Sequence, residues 1–298
     1  MMPRISFIMP AWKAAYLHEA IKSIVAQTFP DWELVIVDDH SPEDLKSVVD
    51  CFDDRRIRYY RNEKNIGGED LVAQWNHSIS YAQGEYLVLA ADDDEYYPDF
   101  CSECIALAQE YPRVDVIRSA VEQIDGSGKH VGDDSILPKY TGEKEFFDAW
   151  IHGGVFSCMG NFMFRTQAIK NLGGFIDYPC AFGTDIATPL ALSSEGVANT
   201  GRMLFRFRLS EGHLSADSKR FKEKLAGITQ LSLFLRERNS VLKAVEDGYL
   251  AKKCIYDYFN LVIKYLPAKS LKEYLGLCTL ASPLDKAMMI MRYIKSRI

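Results

Sequence analysis

Long hydrophobic runs are missing from this sequence of 298 residues. No segment has the roughly 18 uninterrupted apolar residues that a membrane-spanning helix requires. The first ten residues carry too short an apolar run for a secretory signal peptide, and we interpret them as the start of a first strand. Both absences favour a cytoplasmic location for the protein.

Cysteine is sparse and irregularly spaced. The seven cysteines are odd in number and follow no repeat, which argues against a disulfide framework. Cys101 and Cys104 form a single Cys-x-x-Cys pair in a predicted helix, without a second pair or a histidine cluster nearby. We therefore interpret both as small apolar residues of a helix face rather than as ligands of zinc or a redox pair.

A glycine-rich phosphate loop is also missing. The first strand leads into Pro10–Ala14, which contains no glycine, and no G-x-G-x-x-G follows any early strand. This absence argues against a dinucleotide-binding oxidoreductase. A sugar-1-phosphate nucleotidyltransferase usually opens with a glycine-rich, basic phosphate loop. The absence therefore also counts against this class, which is kept as an alternative.

Charge is divided unevenly along the chain, whose net value is −6. Residues 1–216 hold 19 basic and 33 acidic side chains, whereas residues 217–298 hold 16 basic and 8 acidic ones. The division predicts two domains, 1–216 and 217–298, and favours an anionic partner for the second. The segment Pro283–Ile298 has the pattern of a basic amphipathic helix, which can lie on anionic lipid or pack on its own domain.

Short apolar segments alternate with helical patterns in the first 110 residues. The segments predict strands at Ile5–Met9, Glu33–Val37, Arg56–Tyr60 and Tyr86–Ala90. This alternation is typical of an α/β fold with a doubly wound, mostly parallel central sheet. Ligands of such sheets bind beyond the carboxyl ends of the strands.

Acidic residues follow two of these predicted strands. Asp38 and Asp39 follow the second strand, and Asp92–Glu95 follow the fourth. Carboxylates this close repel one another, and a divalent cation is the simplest way to neutralise them. A solvated acidic turn is the alternative. The position of both clusters at strand carboxyl ends favours a binding site.

An ordered series of motifs resembles the family 2 glycosyltransferases, which have the GT-A fold. The resemblance covers about residues 3–216 and rests on Phe7–Pro10, Val35–Ser41, Lys64–Gly67, Ala82–Tyr86, Asp92–Asp94, Gly173–Phe175, Thr184-Asp185 and Arg208. It implies a GT-A domain followed by a helical C-terminal extension. The order of the motifs, rather than any single one, makes the resemblance specific.

The resemblance implies a hexosyl- or acetylhexosaminyltransferase. Such an enzyme moves a sugar from a nucleotide-diphosphate donor, by default a UDP-sugar, to a hydroxyl of a glycan or lipid-linked saccharide, with inversion at the anomeric carbon. It implies Mn²⁺ or Mg²⁺ as cofactor and no nucleic-acid partner. Peripheral contact with the inner face of the membrane and homo-oligomerisation are further expectations. A sugar-nucleotide-binding protein without transferase activity is the alternative.

The resemblance also assigns roles to individual residues. Asp94 is the expected metal ligand, with Asp92 and His213 in support. Nucleotide contacts are expected from Pro10, Ala11, Asp38, Asp39, Asn65 and Asp93, and Asn76 is considered with them. For Asn65 the alternative is a turn residue before Gly67. Glu95 is expected to be a surface residue.

Two of the assigned residues stand where the sequence departs from the family pattern. Asp185 is the expected general base, but Thr184 occupies a position where the family often has a second acid. The alternative for Asp185 is a carboxylate that the helix dipole favours in a first turn. The family often has a histidine at the position of Ser210, so His213 is expected either to reach the diphosphate or to be a solvated loop residue.

Overall fold

The computed structural model describes residues 3–209, 220–263 and 266–297. It forms two compact units, Met1–Ile176 with Thr188–Ser210, and Asp177–Ala187 with Glu211–Ile298. The predicted boundary between residues 216 and 217 lies outside the described residues and stays a prediction. The segment Asp177–Ala187 groups with the C-terminal helices, although it precedes them by more than 20 residues.

The first unit is an α/β structure. Its described strands are β1 (Ile5–Ala11), β2 (Trp32–Asp38), β3 (Ile57–Arg61), β4 (Tyr86–Leu89), β5 (Glu95–Tyr96), β6 (Val116–Asp125), β7 (His130–Asp133), β8 (Tyr140–Thr141), β9 (Phe162–Arg165) and β10 (Val197–Leu209). Its helices are α1 (Leu17–Val25), α2 (Leu45–Val49), α3 (Leu71–Ser78), α4 (Phe100–Glu110), α5 (Glu143–Ile151) and α6 (Thr166–Leu172). The four predicted N-terminal strands are confirmed to within two residues at each end.

One sheet joins these strands in the order β3-β2-β1-β4-β9-β6-β10-β5, with β7 beside β6 and β8 beside β10. Strands β3, β2, β1 and β4 are parallel, as predicted. Strand β9 is antiparallel to both β4 and β6, so the other half of the sheet is mixed. Between β6 and β9 the chain passes through the β6–β7 hairpin, β8 and α5, and β9 then enters the sheet between β4 and β6 in the opposite direction.

The core of the first unit lies between the sheet and its helices. Strands β1, β2 and β4 are buried along almost their whole length, which fits their nearly continuous apolar sequence. Helix α4 contributes Phe100, Cys101 and Cys104 to this core. Burial raises the pKa of both cysteines, so they stay protonated thiols and act as apolar residues, as predicted.

The second unit is helical in its described part. Helix α7 (Thr184–Ala191) begins in it, and it contains α8 (Phe221–Leu242), α9 (Asp247–Val262), α10 (Ala268–Leu277) and α11 (Pro283–Lys295). Leu225, Ile228, Leu231 and Leu235 of α8 are buried at helical spacing. Among the described residues, no helix combines the length and the hydropathy needed to cross a bilayer.

Candidate functional site

The carboxyl ends of the parallel strands bring the predicted acidic residues to one edge of the sheet. Ala11 of β1 pairs with Asp38 of β2, and Ile8 of β1 pairs with Leu89 of β4. The backbone N–H of Asp39 donates to the carbonyl of Ala11 over 3.0 Å. Residues that are far apart in sequence therefore meet along this edge because the strands run in the same direction.

Asp38 is completely buried and held by protein donors. It accepts hydrogen bonds from the backbone N–H of Ser41, the hydroxyl of Tyr59 and the guanidinium of Arg61. Burial and the nearby Asp38 carboxylate raise the pKa of Tyr59 to about 12, so the phenol remains a donor. The structure thus gives Asp38 an anchoring role, and its expected contact with a nucleoside stays a prediction.

Asp39 organises the loop that follows β3. Its carboxylate accepts from the side-chain amide of Asn62 at 2.7 Å and from the backbone N–H groups of Ile66 at 2.9 Å and Gly67 at 2.7 Å. A Cβ atom at Gly67 would lie only 3.0 Å from an oxygen of Asp39. The glycine of the Lys64–Gly67 motif is therefore the residue that allows this carboxylate to approach the loop backbone.

We expect Asp39→Ala to destabilise the first unit. The substitution leaves the N–H groups of Ile66 and Gly67 without their acceptor, and each unsatisfied buried donor costs about 1–3 kcal/mol. Urea unfolding should show a loss of about 3 kcal/mol. Asp50→Ala is the control, since Asp50 is exposed and pairs with Lys46 on the surface; its expected effect is below about 0.5 kcal/mol. Equal effects of the two variants would contradict the anchoring role.

The two asparagines considered for nucleotide contacts make protein contacts here. The side-chain oxygen of Asn65 accepts from the N–H of Gly68 at 2.6 Å, which is the turn arrangement weighed as the alternative. The amide of Asn76 donates to the carbonyl of Phe175 and accepts from its N–H. Asn76 thereby fixes the turn after α6, where Gly173 is the left-handed cap with φ of 89°.

Asp92 ties the end of β4 to the end of β1. One of its oxygens accepts from the backbone N–H groups of Trp12 at 2.7 Å and Lys13 at 2.8 Å. Burial raises the pKa of Asp92, the two N–H donors oppose this effect, and the neighbouring Asp93 adds to it. The loop after β1, which contains no glycine, is thus held by a carboxylate of the acidic cluster.

Asp94 is the most buried carboxylate of the acidic turn. It accepts from the backbone N–H of Arg208 in β10 at 2.9 Å. Burial, followed by repulsion from Asp93, raises its pKa well above the usual range. Asp92 and Asp93 retain partial exposure. The three carboxylates are therefore close enough to disfavour one another's charge.

Arg208 supplies a positive charge that the sequence alone did not assign to this cluster. Its guanidinium donates to the carbonyl of Asp93 and forms an ion pair with Glu95, and it lies 4.4 Å from the centre of the Tyr16 ring. Glu95 also pairs with Arg206 at 2.9 Å. The prediction of Glu95 as a surface residue is wrong, because β5 pairs with β10 and turns its side chain toward these arginines.

The acidic turn fits a divalent cation held by few protein ligands. No group of three or more His, Cys, Asp and Glu side chains converges as a metal site within the described ranges. Asp92, Asp93 and Asp94 nevertheless offer hard oxygen ligands, and their mutual repulsion would be relieved by a cation. Such a site suits Mg²⁺ or Mn²⁺ that takes its other ligands from phosphate and water. His213, the remaining predicted ligand, lies outside the described residues.

Asp185 lies in the first turn of α7, in the second unit. Its side chain is only partly exposed, and the surrounding protein raises its pKa to about 7 by removing water from the carboxylate. A carboxyl group with this pKa exchanges a proton readily near neutral pH, which suits a general base. The first-turn position that the helix-dipole alternative requires is also present.

Comparison with known proteins identifies the family. The model of Glycosyl transferase family 2 matches residues 6–173, more than half of the chain. The chain belongs to this family. The matched range runs from the second residue of β1 to the Gly173 cap and contains the acidic edge of the sheet. The family resemblance inferred from the order of the motifs is thereby confirmed.

One curated relative and two solved structures illustrate the similarity. The chain is 33% identical to the GalNAc(5)-diNAcBac-PP-undecaprenol beta-1,3-glucosyltransferase of Campylobacter jejuni over 179 aligned residues. The aligned region covers 57% of this chain and 54% of that protein. The chain spans between 39% and 54% of the length of the first two curated relatives.

The two structures share the fold at low identity. TarS of Staphylococcus aureus with UDP-GlcNAc superposes with a TM-score of 0.69 at 16% identity, over 92% of this chain and 79% of that one. The mannosyltransferase PcManGT of Pyrobaculum calidifontis, with GDP-Man and Mn²⁺, gives 0.56 at 16% identity, over 100% and 88%. The first unit therefore has the GT-A fold, followed by a helical C-terminal region, as predicted.

Proposed function

We propose that the chain is a metal-dependent, inverting glycosyltransferase that uses a nucleotide-diphosphate sugar, by default a UDP-sugar. The observation that carries the proposal is the acidic edge itself: Asp38 and Asp39 lie at the end of β2 and Asp92–Asp94 after β4, the two parallel strands that flank β1 in a family 2 domain. A nucleotide diphosphate bound at that edge places its own negative charge where carboxylates already repel one another. A divalent cation would then neutralise both the nucleotide diphosphate and the carboxylates of the edge.

In the proposed site the nucleotide and the diphosphate of the donor meet different residues. The nucleotide is bordered by the backbone of Pro10 and Ala11 and by the side chains of Asp38, Asp39, Asn65 and Asp93. Asp94, supported by Asp92 and His213, holds Mn²⁺ or Mg²⁺. When bound, such an ion stabilises the negative charge that develops on the leaving diphosphate. The Mn²⁺ found with the Pyrobaculum enzyme supports this assignment.

Asp185 is the proposed general base. Its carboxylate takes the proton of the acceptor hydroxyl while the acceptor oxygen bonds to the anomeric carbon and the bond from that carbon to the diphosphate oxygen breaks. Attack opposite the leaving group inverts the anomeric centre. A pKa of about 7 matches this role, because the base is then ionised in a large fraction of molecules and still binds the proton well.

The acceptor we propose is a hydroxyl of a growing glycan or a lipid-linked saccharide. The Campylobacter relative acts on a saccharide linked to undecaprenol diphosphate. The excess of basic residues after residue 216 supports an acceptor at an anionic membrane surface. We accordingly propose a cytoplasmic protein in peripheral contact with the inner face of the membrane through its C-terminal helices.

A thermal-shift screen tests the donor and the metal together. UDP-glucose, UDP-GlcNAc and GDP-mannose are each added with Mn²⁺, with Mg²⁺ or with a chelator. We expect stabilisation by one donor only in the presence of a metal, amounting to about 2.7 kcal/mol at a hundred times its Kd. No stabilisation by any pair would contradict the proposal.

Release of free nucleotide diphosphate separates the transferase from its alternative. We expect the stabilising donor to be turned over in the presence of membrane extract containing lipid-linked saccharides. Binding without turnover would favour a sugar-nucleotide-binding protein. Formation of the nucleotide sugar from a sugar 1-phosphate and a nucleoside triphosphate would favour the nucleotidyltransferase.

A further inference from the structure

Helix α11 is fixed on the second unit by one of its faces. Met289 and Tyr293 are buried, and the phenol of Tyr293 donates to the carbonyl of Leu266 at 3.0 Å. The hydroxyl of Tyr256 in α9 contacts Asp285 at the start of α11, which Ser282 caps. The orientation of α11 about its axis is therefore set by contacts with α9 and the segment after it.

The opposite face of α11 is apolar and exposed. Leu284 is 70% exposed, Met291 56% and Ile294 55%, and Met288 is also exposed. Positions 284, 288, 291 and 294 follow the spacing of one helix face. Large apolar side chains are thus held outward by the packing of the other face, so their exposure does not depend on a loosely attached helix.

The charge of α11 after Asp285 is positive. Four charged residues follow Asp285 in α11 and at its C-terminal end, and all are basic: Lys286, Arg292, Lys295 and Arg297. Asp285 itself is buried and belongs to the capping box of the helix. Arg292 donates to the side chain of Asn260 and Arg297 to the carbonyl of Leu266, so both guanidiniums are held against the second unit. Lys295 is exposed and lies four positions after Met291, so the face presented to solvent combines apolar side chains with positive charge.

We propose that this face of α11 binds an anionic lipid surface, with its apolar stripe in the interface and the lysines Lys286 and Lys295 at the phosphate groups. An apolar stripe with flanking Lys and Arg is the composition of helices that lie in a membrane plane. A second copy of the chain is the less suitable occupant, because lysine is depleted in protein interfaces and a stable one buries about 800 Å² per partner.

Flotation with vesicles tests this inference on the full chain. It rests on the membrane contact of the proposed function, but the assay contains neither donor nor acceptor, so its failure leaves the transferase reaction untouched. Vesicles of phosphatidylcholine are compared with an equal mixture of phosphatidylcholine and phosphatidylglycerol. We expect binding to the anionic vesicles alone, and weaker binding as salt rises from about 0.1 M to about 1 M.

Matched variants separate the face from general charge effects. Met291→Glu should lower the partition coefficient at least tenfold, whereas Val241→Glu, which adds the same charge at a residue 78% exposed in α8, should change it less than twofold. Lys286→Gln and Lys295→Gln should each lower it about fivefold. Circular dichroism confirms that each variant folds.

Three results would overturn the inference. They are no binding by the parent protein to either vesicle, equal losses in Met291→Glu and Val241→Glu, and a change from dimer to monomer in Met291→Glu by analytical ultracentrifugation. The last result would assign the face to a second copy of the chain.

Discussion

Asp185→Asn is expected to lower the rate of sugar transfer by about a hundredfold to ten-thousandfold, the usual contribution of a general base. The amide has nearly the shape of the carboxylate but cannot accept the proton of the acceptor hydroxyl. Donor binding should persist, because the assigned nucleotide contacts belong to other residues. The measurement is kcat with a saturating donor, together with donor affinity by titration.

The pH profile of the parent protein should report the same group. With a pKa of about 7 for Asp185, transfer should rise with pH through neutrality and level off above pH 8. At pH 5 about 1% of the group is ionised, so the rate should fall to a similar fraction. The residual activity of Asp185→Asn should lack this rise.

The free energy of unfolding should fall as pH rises, whereas the rate of transfer should increase. The folded state raises the pKa of Asp185 from 3.8 to about 7, so the stability that this residue contributes below pH 4 is lost as pH rises through 7. That difference corresponds to at most about 4 kcal/mol, an upper limit because water reaches part of the side chain. Asp185→Asn should therefore be more stable than the parent protein at pH 8.

A surface carboxylate of the same unit is the control. Asp257→Asn removes a partner of Lys253 on α9 and should alter neither the rate nor the stability noticeably. If Asp185→Asn kept near-normal transfer and the rise with pH, Asp185 would not be the base. It would then be a first-turn carboxylate that the helix dipole favours.

The second large effect is expected from the acidic turn. Removing divalent metal with a chelator should abolish transfer, and Mn²⁺ or Mg²⁺ should restore it. Asp94→Asn should lower the rate about a hundredfold or more, since a metal that stabilises the leaving diphosphate contributes several kcal/mol. It should also raise the Mn²⁺ concentration needed for half of the maximal rate, which a purely structural defect would not do.

The asparagine variant is chosen because its side-chain oxygen can still accept from the N–H of Arg208, so the contact between the acidic turn and β10 is kept. Asp99→Asn is the control, because Asp99 is an exposed carboxylate that pairs with Arg202. We expect it to stay within about twofold of the parent rate. Full activity of the chelated parent protein would refute metal dependence, and an unchanged Mn²⁺ response in Asp94→Asn would refute the ligand assignment.

Much of the first unit could be predicted from local patterns. The runs at Ile5–Met9 and Tyr86–Ala90 are continuous apolar segments, and such segments suit strands that are covered on both faces. The direction of β9 could not be predicted, because a short apolar segment looks the same in either direction. Its direction is set by its pairing with β4 and β6, which lie far from it in the chain, so it is a property of the whole sheet.

For the site, residue types were easier to predict than contacts. The placement of the aspartates at strand ends was visible in the sequence, but the partners of Asp38, Asn65 and Asn76 were not. The partner of Asn76 is the backbone of Phe175, 99 residues away, and no spacing pattern indicates such a pair. The short strand β5 was missed because two residues carry no periodicity.

The sequence by itself determined the family, the order of the N-terminal strands and the presence of an acidic cluster at strand carboxyl ends, because these follow from short-range patterns and ordered motifs. Only the tertiary structure decided which carboxylates are bound by protein donors. It also placed Arg208 among the acids and showed which face of α11 stays exposed. The reason is that burial and charge pairing depend on elements far apart in the chain, such as β5 with β10 and α9 with α11.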